Sequence, residues 1–117
     1  MNIEVRKSLE KQLAESILSK IESIDFSKNP LDNLNTRNYY LRFFNSIGIK
    51  DSFKLIDEVI NKRVNRDLII EILIDKYFSK LSDDDINMRL LFAKSKGKME
   101  IPKSHIKDFN DFIKRKS

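Results

Sequence analysis

The sequence predicts an all-α protein, a compact bundle of five or six short helices around a buried central helix at about 66–81. Three observations carry that expectation. Apolar residues recur at three- and four-residue steps through most of the 117-residue chain, the spacing that lines one side of a helix. Glycine and proline occur only twice each, too few for the tight turns that many short strands require. Hydrophobic residues make up 40% and charged residues 35% of the chain, enough apolar material for one modest core beneath a charged surface. Length and the lack of a low-complexity break imply a single helical domain, 1–117, with a basic C-terminal segment at 93–117.

The elements follow in order. Leu9, Leu13, Ile17, Ile21 and Ile24 fall along one side of a first helix over about 2–24. "FSKNPLDN" breaks the pattern, and Pro30 suits the first turn of a second helix over about 31–46. That helix is expected to bury Leu34, Tyr40, Leu41, Phe43, Phe44 and Ile47 and to end at Gly48, the residue type best able to take a left-handed C-terminal conformation. Asp51 or Ser52 can cap a third helix with Phe53, Ile56, Ile60 and Val64 in line. Residues 66–81 are apolar nearly all round the wheel; so β-branched a run suits a buried strand too, but its length and the absence of a second strand favour a central helix. Ser82, with Asp85 three residues on, reads as a capping-box start for a fifth helix that runs to about Ser95 with Ile86, Leu90 and Ala93 inward and stops at Gly97. Pro102 and Ser104 begin a sixth, whose apolar arc is His105, Ile106, Phe109, Phe112 and Ile113.

Several function classes are disfavoured by composition. Cysteine is absent, which removes disulfides, a thiolate nucleophile and cysteine-ligated zinc. The N-terminal stretch carries charges throughout and lacks the apolar core of a signal peptide, and no run approaches the roughly 18 apolar residues of a membrane span, so a cytoplasmic protein without membrane partners is expected. Abundant Ile, Lys and Asn suit an AT-rich bacterial or phage genome. Asp83, Asp84 and Asp85 read as a helix start favoured by the helix dipole, because a calcium loop would need a glycine and a terminal Glu at fixed spacing. His105 is the one imidazole; it falls between Phe109 and Phe112 on the apolar side and reads as a packing residue. No Gly-rich phosphate loop, nucleophile elbow or paired acidic motif occurs, and a non-enzymatic protein with neither metal nor cofactor is expected.

Charge position is the most informative feature. The net charge is +5, and residues 93–117 hold eight lysines and arginines against three acids, so residues 1–92 balance to zero. Lys94, Lys96 and Lys98 surround Gly97; Lys103, Lys107 and Lys114 share a side of the sixth helix; Arg115 and Lys116 extend the positive end. Such a surface suits a polyanion, because each neutralised phosphate releases counterions and adds affinity without reading sequence. Within "TRNYYLRFF", Tyr39 and Arg42 lie toward the polar side of the second helix and could stack on bases and pair with phosphates. The expected function is a small basic accessory protein that binds DNA or RNA through those lysines, with Tyr39 and Arg42 as secondary contacts. The alternative is a protein-binding regulator, an inhibitor, adaptor or immunity-type factor, that docks on an acidic protein surface.

Two comparisons bear on DNA. Gly48 and Ile49 join two amphipathic helices as in a helix-turn-helix unit, but Phe44 occupies the turn-facing position that needs a small residue, and Asp51, Asp57 and Glu58 would repel phosphates from the second helix. "NTRNYYLRFF", then "LIIEILIDKYFSKLS" and "DDDINMRLLFAK", resembles across residues 35–94 the helical core-binding domain of tyrosine recombinases. The resemblance implies a DNA clamp. The acidic triplet departs from that family's pattern, and membership is not inferred.

Overall fold

The computed structural model describes residues 1–95, with side chains as far as Leu91. Five α-helices and a single 3₁₀ turn account for most of them, and no strand occurs among the described residues: α1 Ile3–Glu22, α2 Pro30–Ser46, α3 Ser52–Ile60, α4 Arg66–Lys76, the 3₁₀ turn Phe78–Lys80, and α5 Asp83–Ser95. The expected Gly97 stop and the sixth helix lie outside the described residues.

The local signals that start and stop these helices are chemical. Asn2 caps α1, its side-chain oxygen accepting from the Glu4 amide at 2.8 Å. Pro30 opens α2 behind Asn29, which adopts a left-handed conformation at φ 42°. Gly48 closes α2 at φ +86°; its amide donates to the Asn45 carbonyl and the Ile49 amide to that of Phe44, both at 3.1 Å. Phe44 and Ile49, both buried in the core, occupy the two positions where apolar residues usually accompany such a left-handed stop. Asp51 precedes α3 without a side-chain cap bond. Ser52 is instead buried, its hydroxyl 2.6 Å from Asn45 Oδ1 and 2.8 Å from the Ile49 carbonyl, which ties α3 back to the end of α2. Ser82 accepts from the Asp85 amide at 3.1 Å, as its position ahead of α5 predicts.

The hub of the bundle differs from the expectation. α1 packs against α2, α3, α4, the 3₁₀ turn and α5, and its Leu13, Ala14, Leu18 and Ile21 are buried. Residues 66–81 form two pieces rather than one central helix, because Tyr77 leaves helical geometry at φ −135°. Ile69, Ile70, Leu73 and Phe78 enter the core while Leu68 stays 51% exposed near the bundle end, where Arg66 pairs with Glu22 of α1 at 2.9 Å. An amphipathic helix of 20 residues is about 30 Å long, enough to serve as a spine that shorter helices cover. Two further positions turn outward: Leu34 is partly exposed, and Phe53 is 58% exposed with the Arg37 guanidinium 5.1 Å above its ring.

Candidate nucleic-acid interface

Tyr39 and Arg42 both belong to α2, three residues apart, yet their settings differ. Arg42 is exposed, with neither an ion pair nor a hydrogen bond to another described residue. Tyr39, placed by the helical wheel toward the polar side, is half-buried instead. Its ring meets that of Tyr40 edge to face, centroids 4.9 Å apart and planes at 83°. Burial pushes the Tyr39 phenol well above its ordinary pKa; the Tyr40 and Tyr77 phenols act in the same direction and Arg89 opposes them. The wheel misjudged it because α1 and the Tyr77–Arg89 region close over that side of α2: Phe43 stacks edge-on against Tyr77 at 5.0 Å, and the Tyr77 hydroxyl accepts from Arg89 Nε at 2.7 Å.

Between the last turn of α1 and the first half of α2 lies an open recess of about 510 Å³, lined by Lys20, Ser23, Asn35, Thr36, Tyr39 and Tyr40. The Ser23 and Thr36 hydroxyls donate to the carbonyls of Lys20 and Asp32, at 2.8 and 3.0 Å. The exposed Asn35 amide has no partner among the described residues. Neither does the Tyr40 hydroxyl, although Tyr40 is only 7% exposed and burial pushes its phenol up to about 12. The sequence had placed Tyr40 simply in the core.

A second groove, of about 470 Å³, opens where Gly48 and the start of α3 face α4. Ile49, Leu55 and Ile72 supply its apolar part; Lys50, Lys54 and Lys76 stand around it with Asp51 and Glu58, and none of these five charged groups is ion-paired to a described residue. Sequence reading missed it because Lys76 reaches it from another helix.

The acidic triplet has structural work. Arg6 Nη1 donates to Asp83 Oδ1 at 2.7 Å, and the N-terminal ammonium lies 3.1 Å from Asp83 Oδ2. The Arg6 hydrogen bond, followed by that of the ammonium, holds the Asp83 carboxyl below the usual carboxylate range. Asp85 lies 3.8 Å from Arg89. No group of three or more metal-ligating side chains forms among the described residues, and no helix among them is long and apolar enough to cross a membrane.

Of the cationic residues singled out at the C-terminus, Lys94 has its backbone in the last turn of α5. Its side chain lies outside the described residues, as do Lys96, Lys98, Lys103, Lys107, Lys114, Arg115 and Lys116, and His105. No protein-family model, curated protein or solved structure matches this chain.

Proposed function

We propose that the chain is a small, basic, non-enzymatic accessory protein that binds DNA or RNA largely through backbone phosphates. The observation that carries this reading is the division of charge: residues 1–92 are balanced, and the whole +5 excess resides in 93–117. A concentrated cationic end attracts a polyanion far more strongly than the same charge spread over the surface. Arg42, exposed and unpaired among the described residues, supports the reading as a secondary phosphate contact. Sequence-specific readout is not part of the proposal, because no arginine-rich reading helix is present.

Mobility-shift titrations with duplex, single-stranded DNA and RNA test it. Affinity should fall linearly on a log–log salt plot, and Lys103→Glu with Lys107→Glu should reduce the slope by about two. Absence of a complex with all three nucleic acids at low salt ends this reading. A second reading then takes its place, a regulator docking on an acidic protein surface. The groove where Lys50, Lys54 and Lys76 outnumber Asp51 and Glu58 around Ile49, Leu55 and Ile72 supports it, since an apolar bed with a cationic excess at its edge suits an amphipathic acidic segment.

A further inference from the structure

We infer that the recess between α1 and α2 is a pocket for a planar heterocyclic base, so that a bound single strand places one unstacked base against Tyr39 and Tyr40. The inference rests on the nucleic-acid reading and adds to it a contact that phosphate binding does not require. Three features of the recess lead there. The two phenol rings that line it stand at 83°, and Tyr39, half-buried where Tyr40 is buried, is the ring left for a flat ligand to stack on. Asn35 offers an amide with no partner among the described residues, and a side-chain amide both donates and accepts, as the edge of a base does. Tyr40 lines the same recess while only 7% exposed, its hydroxyl without a hydrogen-bond partner among the described residues. Buried hydroxyls are ordinarily satisfied, and a phenol, whose ordinary pKa is near 10, is available as a donor throughout the physiological range. The volume, about 510 Å³, falls in the range of small-molecule sites.

The same base could come from a strand or from a free nucleotide, and the experiment separates them. Fluorescence anisotropy would compare a labelled oligothymidylate with an abasic strand of equal length and charge, with thymidine monophosphate as a third probe. The base-bearing strand should bind about tenfold more tightly than the abasic one, the ratio expected from one stacked base. Asn35→Ala, at an exposed position that does not threaten folding, and Tyr40→Phe, checked by thermal melting, should each cut that ratio by about threefold or more. Lys103→Glu with Lys107→Glu should weaken both strands together and preserve the ratio. Equal binding of the two strands by the wild-type protein overturns the base pocket and leaves the phosphate reading standing. Binding of the mononucleotide alone, sensitive to Asn35→Ala, supports the pocket with a free nucleotide as its source and overturns the strand-binding reading. Binding of none of the three overturns the pocket and single-strand binding with it, and the mobility-shift titrations with duplex and RNA then decide the phosphate reading.

Discussion

Tyr39, Tyr40 and Tyr77 are the only tyrosines in the chain, and burial raises the phenol pKa of each, to about 12 for Tyr40. A phenol whose pKa is raised by folding stabilises the fold while it stays neutral. That contribution is fully present below the ordinary value near 10 and is lost as pH rises through the raised value. Absorbance at the phenolate band should therefore stay flat past about pH 10, then rise together with loss of the helical circular dichroism signal. A phenol that ionises near its ordinary pKa while the helices remain intact would show that one of the three rings is solvated, and Tyr39, the half-buried one, would be the first suspect. Tyr40 is the sharper probe of the recess: its pKa shift has burial as its sole cause, so a ligand that satisfies the hydroxyl changes its setting without disturbing a charge pair.

Helix ends were the most legible elements, because each is decided by one or two residues whose chemistry is local. Pro30, Gly48 and Ser82 mark their boundaries in the sequence and do so in the fold. The end of α3 was less visible, since it uses the same left-handed stop as α2 without a glycine. Lys62 adopts φ 57°, its amide donating to the Val59 carbonyl at 3.1 Å and the Arg63 amide to that of Glu58 at 2.9 Å. Two substitutions of opposite sign follow. Gly48→Ala should destabilise by about 1–2 kcal/mol: a Cβ there meets nothing within 4 Å, so the cost is the left-handed backbone itself. Lys62→Gly should stabilise by up to about 1 kcal/mol by relieving that cost, less the extra entropy glycine loses on folding. Urea denaturation of both variants checks the pair, and a loss of stability in Lys62→Gly would mean that the lysine side chain contributes more than its backbone costs. Which helix forms the hub was not legible, because an all-round apolar wheel signals burial without saying whether the helix spans the core or ends inside it, as α4 does at Tyr77.

At the scale of the molecule, the closure of the bundle depends on a contact that no local pattern reveals. Arg6 donates from Nε to Glu10 at 2.9 Å, from Nη1 to Asp83 at 2.7 Å, and from Nη2 to the carbonyls of Phe78 and Leu81. Three of these four bonds fasten α1 to the 3₁₀ turn, the residue that follows it and the start of α5, while the fourth stays within α1 and holds Glu10. The sequence shows Arg6 only as one more charge on the polar side of a helix, since three of its partners lie 72 to 77 positions away. The recess was hidden for the same reason: Tyr39 and Asn35 can be read from α2, but Lys20 and Ser23 come from α1. Arg6→Ala leaves Glu10 buried without its cation, takes the guanidinium from the Leu81 carbonyl and leaves that of Phe78 with the Leu81 amide alone, and should cost about 3 kcal/mol, lowering Tm by more than about 10 °C. Arg6→Lys keeps the charge but cannot reach four acceptors from one ammonium, and should recover less than half of that loss. Asp83 adds a pH signature. Its carboxyl is held below the ordinary value by Arg6 and the N-terminal ammonium, so its contribution is present above about pH 4 and disappears as pH falls through the depressed folded value. Thermal melts of the wild type from neutral pH down to about 2.5 should show this decline, and Asp83→Asn should shrink it. In Arg6→Ala the carboxyl keeps only the ammonium, and the acid-dependent loss should be smaller than in the wild type. An unchanged acid limb in both variants would assign the decline to other carboxylates, Asp25 foremost, whose hydrogen bonds from the Ser27 hydroxyl and amide lower it as well.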